Sequence, residues 1–215
     1  MHWLFDSRAD AARLLARPLA AYRGRNPLVL AIPRGAVPMG AALAQALQGE
    51  LDVVLVRKLG APRNPELAVG AVDETGWTYV APHAAMAGAD ADYIAKEKAA
   101  QLALLRRRRG QYTPARGPAD PAGRIAIVVD DGIATGASMI AALHSVRARN
   151  PAKLVCAVPV AAPESLEQVR PYADEVVCLE APEEFHAVGQ FYREFGQVED
   201  EEVVALLAHR AEQRV

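Results

Sequence analysis

A chain of 215 residues with 24 basic and 26 acidic side chains carries a formal net charge of −2. That balance lacks the strong basic footprint of a nucleic-acid-coating protein and the acidic excess of a solvating tail. With 52% hydrophobic and 23% charged residues, the chain can bury a core without staples, and its two cysteines are too few for a disulfide scaffold.

No apolar run approaches the roughly 20 residues of a membrane helix, and the opening MHWLFDSRADAARLL lacks the basic-then-apolar order of a secretion signal. The expectation is one cytoplasmic domain with no membrane contact. Cys156 and Cys178, each in an apolar run, are expected as buried reduced thiols.

Ser7 to Tyr22 predicts an amphipathic helix, capped by Ser7 and striped by Leu14, Leu15 and Leu19. PLVLAIP (27–33) is a continuous apolar strand, AVPMGAALAQALQ (36–48) a helix, and LDVVLVRKL (51–59) the next strand. Fully apolar strands separated by a helix predict parallel pairing with both faces covered. From Gly60 to Ala87 the chain turns Gly- and Pro-rich. It reads as a hairpin or mobile loop, with strands ELAVGAV and WTYVA around Glu74-Thr75-Gly76.

A long polar helix over 90–109 and a surface linker over 113–123 follow. The strand–helix alternation then resumes: RIAIVVDD, GASMIAALHSVRAR, AKLVCAVPVA, PESLEQVRPY and ADEVVCLE. An aromatic connector, EFHAVGQFYREFG, leads to a closing helix, VEDEEVVALLAHRAEQ. The predicted fold is α/β: an open, mostly parallel five-stranded sheet flanked by helices. It carries an inserted hairpin and long helix (about 60–112) and a C-terminal segment (about 181–215), within a single domain over 1–215.

One stretch stands out, IAIVVDDGIATGAS (125–138). Adjacent carboxylates repel and make poor core residues, so Asp130 and Asp131 at a strand end call for a ligand. Ligands of open α/β sheets bind at carboxyl ends of strands. The Thr135-Gly136-Ala137-Ser138 turn opens a helix whose free N–H groups and dipole favour an anion. A phosphate beside vicinal hydroxyls, as in a ribose 5-phosphate, satisfies both halves.

VVDDGIATGAS resembles the signature of type I phosphoribosyltransferases, which bind 5-phosphoribosyl-1-pyrophosphate (PRPP). The runs RNPELAVGAVDE and FHAVGQFYREFGQVEDEEV are similar to a group of bacterial phosphoribosyltransferases of unassigned acceptor. The resemblance implies that Asp130 and Asp131 hold the ribose 2- and 3-hydroxyls, directly or through a metal. Gly132, Ile133, Ala134, Thr135, Gly136, Ala137 and Ser138 would wrap the 5-phosphate. AIPRGAVPMG stands where the family has its pyrophosphate loop, with Arg34 and Gly35 matching the Arg-Gly type whose peptide is often cis. Lys58, ending the second strand, would contact the same pyrophosphate.

The family's mobile catalytic loop corresponds to 60–87. Its chemistry attacks ribose C1 with a nitrogen nucleophile and expels pyrophosphate, assisted by Mg²⁺ held mostly by PRPP oxygens and water. A homodimer and a small hood over the acceptor are further implications. Phe185, Phe191, Tyr192 and Phe195 would then stack on a flat base.

The pattern departs from purine-salvage members at Ala134, where those carry an acidic residue touching the base. A general base must then come from elsewhere, with Asp73, Glu74 and His186 as candidates. The run Arg106 to Arg109 reads as a solvated helix end, with RNA contact as the lesser alternative. The expected function is a Mg²⁺-dependent phosphoribosyltransferase acting on a nitrogenous base. The alternative is a regulatory protein that senses PRPP or nucleotides without turnover.

Overall fold

The structure, a computed structural model, describes residues 3–114 and 117–212. Residues 115 and 116 of the expected linker and the end of the closing segment, 213–215, lie outside that range.

Five strands form the core: β1 (Leu28–Ala31), β2 (Glu50–Val53), β6 (Ile125–Val129), β7 (Lys153–Val160) and β8 (Glu175–Glu180). They pair in the order β2-β1-β6-β7-β8, all parallel. β1, β6 and β7 are almost wholly buried. Their continuous Val, Ile, Leu and Ala runs suit a sheet covered on both faces. β8, the edge strand, is half-exposed throughout. Cys156 on β7 is buried as expected, whereas Cys178 on β8 is only half-buried; both are free thiols.

The helices are α1 (Arg8–Leu15), α2 (Val37–Ala46), α3 (Ala91–Tyr112), α4 (Ala137–Arg147), α5 (Pro163–Val169) and α6 (Asp200–Glu212). Ser7 caps α1 as expected, accepting from the Asp10 N–H. The helix expected over 7–22 stops at Leu15, however, and a 3-10 turn follows at Ala20–Tyr22. Pro18, with no N–H to give, accounts for the break.

The run 51–59 also divides. After β2 the chain leaves the core sheet and enters a second, antiparallel one: β3 (Val56–Ala61), β4 (Asn64–Asp73) and β5 (Thr78–Val80). Val54 and Leu55 at the crossing are buried, so no polar break marks it. The expected hairpin is present, with ELAVGAV inside β4 and β5 returning antiparallel across residues 74–77, and β3 adds a third strand. Its β4–β5 turn uses Gly76 at φ +96°, a left-handed conformation that costs glycine little.

This sheet docks on α4, where Trp77 stacks on His144 with ring centroids 3.5 Å apart and planes 8° from parallel. Behind it, Arg109 of α3 grips Glu74 bidentately, at 2.6 and 3.0 Å, and lies 3.8 Å from the fully buried Asp52. Arg109 is thus no solvated helix end. It shares a helix face with the buried Leu105 and Tyr112.

Candidate active site

Strand order fixes where a ligand can enter. From β1 the chain winds outward to β2, and from β6 it winds the other way to β7 and β8. The switch point lies between β1 and β6, whose carboxyl ends sit side by side, tied by Ile32 N–H donating to the Val129 carbonyl at 3.0 Å. The Pro33-Arg34-Gly35 turn follows β1, and Asp130-Asp131 follows β6. The two motifs read separately from the sequence thus meet at one crevice.

Beyond the aspartates the chain forms a small pocket of about 150 Å³ lined by Asp130, Gly132 to Gly136, Ser138 and Met139. Gly136 has φ +77° and serves as N-cap of α4. That left-handed turn suits glycine, and the first turn of α4, whose N–H groups have no helical partner, lines the pocket through Ser138 and Met139. Three hydrogen bonds hold the loop: Ile133 N–H donates to the Val160 carbonyl, Ala162 N–H to the Ile133 carbonyl, and the Ser165 hydroxyl to the Ala134 carbonyl at 2.6 Å. Ile133 and Ala137 turn their side chains into the core, so they offer the pocket backbone only. Thr135 and Ser138 remain the accessible hydroxyls.

The paired carboxyls are held unequally. Asp130 accepts from the Asp131 N–H at 2.9 Å. Burial, then the Asp131 charge, drive its pKa well above the usual carboxylate range. Burial also raises Asp131, but the Arg8 guanidinium opposes it. Arg8 Nε donates to Asp131 Oδ2 at 2.8 Å, while its Nη1 donates to the Gly196 carbonyl and its plane lies 3.9 Å above the Phe195 ring.

The Tyr192 hydroxyl fixes the same corner, donating to the Asp131 carbonyl at 2.7 Å. Opposite, Gly35 backs onto the Asp131 carboxylate so closely that a Cβ there would collide with it. Arg8 is a site residue that the sequence motifs do not include. Its one sequence signal is a cation in the first turn of a helix, where the dipole disfavours it.

The Pro33–Arg34 peptide is cis. The Arg34 guanidinium lies 3.5 Å from Glu199 and 3.9 Å from Asp200, at the start of α6. Lys58 does not end a core strand. It sits within β3, exposed, and its ammonium pairs with Glu66 across the hairpin at 2.9 Å.

The aromatic cluster also differs from expectation. Phe191 and Tyr192 are buried, packed on Phe185 and Phe5 respectively, so neither presents a face for stacking on a base. Phe185 is half-buried against Phe191. Of the candidate bases, Asp73 is fully buried and holds the β4–β5 turn through Thr75 and Trp77, and Glu74 is clamped by Arg109. His186 is exposed on the connector.

A second pocket, of about 380 Å³, shares Ala134 and Thr135 with the cradle and runs under the hairpin. Tyr79, Ala81, His83 and Met86 wall it from one side, Ser165 and Gln168 from the other. His83 Nε2 lies 3.0 Å from the Ala68 carbonyl, which can only accept, so that nitrogen carries a proton. Among the described residues no cluster of three or more His, Cys, Asp or Glu could hold a metal by itself, and no helix is long and apolar enough to cross a membrane.

The sequence model described as "Phosphoribosyl transferase domain" matches residues 4–195. The chain belongs to the phosphoribosyltransferase family. This phosphoribosyltransferase domain is 46% identical over 211 residues to two curated Mycobacterium tuberculosis proteins, from strains H37Rv and CDC 1551, provisionally named phosphoribosyl transferases. The match covers 96% of the domain and 47% of each relative, so the chain spans about half the length of the curated relatives it matches. The crystal structure of TT1426 from Thermus thermophilus superposes with a TM-score of 0.81 at 47% identity, covering 98% of this chain and 99% of that one.

Proposed function

We propose that this domain transfers ribose 5-phosphate from PRPP to a nitrogenous base and releases pyrophosphate. The observation that supports this most directly is the junction at the switch point. There, the Arg34-Gly35 turn and the Asp130-Asp131 strand end touch through Gly35 and Asp131, beside a phosphate-sized cradle.

In this reading the amides and hydroxyls of Gly132 to Ser138 hold the 5-phosphate. Asp130 and Asp131 take the ribose hydroxyls, with Arg8 and Tyr192 fixing the position of Asp131. Arg34 and the Gly35 amide face the pyrophosphate. Lys58 joins them as the hairpin closes, since its exposed pair with Glu66 costs only about 0–1 kcal/mol to break.

The donor set suits Mg²⁺. Two hard carboxylates that burden each other electrostatically welcome a divalent cation that arrives with oxygens of its own and bound water. Once bound, the ion would neutralise charge on the leaving pyrophosphate. The domain's part is positioning and electrostatic complementarity, with no protein nucleophile.

The pocket under the hairpin supplies the acceptor side. It is mostly apolar with a few convergent polar groups, as small-molecule sites are, and it opens beside Ala134. With no carboxylate at Ala134, His83, Ser165 and Gln168 are the side chains that select the base.

Calorimetric titration of PRPP with Mg²⁺ tests the reading. Binding that disappears in Asp130→Asn/Asp131→Asn supports it and leads to a screen of bases for pyrophosphate release. A folded wild-type domain that takes up no PRPP overturns it.

A further inference from the structure

Near Arg34, through Asp200, lies a basic pocket that the proposed reaction does not use. Its volume is about 280 Å³, and Arg57, Leu104, Arg107, Arg108, Gln111 and Asp200 line it. Three guanidiniums therefore converge on one cavity with a single carboxylate in its wall. Among the described residues no carboxylate lies within ion-pair distance of Arg57, Arg107 or Arg108. Arg57 spends its Nε on the Gln101 amide oxygen at 2.8 Å, and Asp200 is engaged by the buried Tyr112 hydroxyl.

Arg57 and Arg108 are half-buried, with the exposed Arg107 at the rim. Partly buried charges of one sign are costly unless an anion visits them. Burial, then the Arg108 charge, lower the Arg57 pKa, and Glu97 offsets part of that. The guanidinium fork is matched in shape to phosphate oxygens. The volume sits at the small end of ligand pockets, which start near roughly 300 Å³, and so suits a phosphate chain better than a whole nucleotide.

We infer that the Arg57–Arg107–Arg108 pocket is a second anion site, separate from the strand-end crevice, that takes a compact polyphosphate. Its source is either an inorganic polyphosphate or the phosphate tail of a nucleotide whose base stays outside. Asp200 lines this pocket and lies 3.9 Å from the Arg34 guanidinium, so an occupant is felt at the turn assigned to pyrophosphate. Binding at the pocket itself does not depend on the PRPP reading.

The test is calorimetry with inorganic tripolyphosphate on the wild-type domain, Asp130→Asn/Asp131→Asn, Arg107→Glu/Arg108→Glu and the milder Arg107→Gln/Arg108→Gln. Circular dichroism and melting confirm that each is folded. The expected result is affinity kept in the aspartate variant, at least about tenfold weaker binding in the reversed-charge variant, and an intermediate loss in the glutamine variant. Adenosine triphosphate and adenosine, run in parallel, separate the two sources: equal binding of the triphosphates with none of adenosine places the recognition in the phosphates.

Loss in the aspartate variant with no change in the arginine variants puts the anion in the crevice and overturns the inference. Absence of binding to the wild-type domain overturns it as well. Tripolyphosphate binding without PRPP binding sinks the proposed reaction and leaves this site standing.

Discussion

The two acidic clusters of this domain make opposite use of charge. At the β6 strand end, Asp130 and Asp131 sit side by side with one cation, Arg8, paired to Asp131, and burial raises both carboxyls. At the root of the antiparallel sheet, every carboxylate oxygen of Glu74 and Asp52 has a donor: Arg109 takes both oxygens of Glu74, and the Val53 and Ala119 N–H groups donate to Asp52. The second cluster is complete without a ligand and reads as architecture. The first is incomplete, and a bound polyol or cation would complete it. Unmet charge at a strand end, rather than charge alone, distinguishes a site from a clamp.

Variants can break that comparison. The largest effect belongs to Asp130→Asn/Asp131→Asn, in which PRPP·Mg²⁺ binding should fall at least about a hundredfold by calorimetry, with two charged hydrogen-bond partners lost. Arg109→Ala removes the bidentate partner of Glu74 and the cation beside the buried Asp52. It should cost about 3–5 kcal/mol and lower the melting temperature by roughly 10 °C, whether or not PRPP is present. Equal melting of Arg109→Ala and wild type would remove the clamp from the account.

Arg8→Gln should weaken PRPP binding by about tenfold to a hundredfold, the worth of one charge-assisted bond. Arg8→Lys should recover part of the loss, and the melting temperature should change far less than in Arg109→Ala. The smallest effect has the opposite sign. Asp130→Asn alone should stabilise the ligand-free domain by a few degrees, about 2–4 °C per kcal/mol at this size.

The sign follows from the raised pKa. The folded state resists ionising Asp130, so stability declines as pH climbs from the ordinary value of 3.8 through the higher folded-state value. The gain from Asn is therefore absent below about pH 3.8 and grows as pH rises above it. Melting curves of both proteins across pH 3–8 check it.

What the sequence disclosed depended on how local each signal was. VVDDGIATGAS carries strand, carboxylates and cradle within one short stretch, and those residues do stand together. The Arg-Gly turn was legible for the same reason. Arg8 escaped because it acts on Asp131, 123 residues away, and only the fold brings them together. The crossing from β2 to β3 escaped because Val54 and Leu55 are buried in both directions and leave the apolar run unbroken. Arg109 hid among four identical letters, although its spacing from Leu105 and Tyr112 marks the inward face of the helix. Phe191 and Tyr192 looked like stacking surfaces, since composition cannot tell an exposed ring from one buried under a neighbouring segment.

The Trp77–His144 stack has a practical side. The chain has two tryptophans, Trp3 and Trp77, and Trp3 lies half-exposed near the N-terminus. Trp77 rides on the hairpin while His144 belongs to the core helix, so the distance between their rings measures whether the hairpin is seated. In a Trp3→Phe background a single fluorophore reports that distance. That signal shows whether the hairpin leaves its seat on α4 when PRPP is added, and it is readable in a stopped-flow cell without any label.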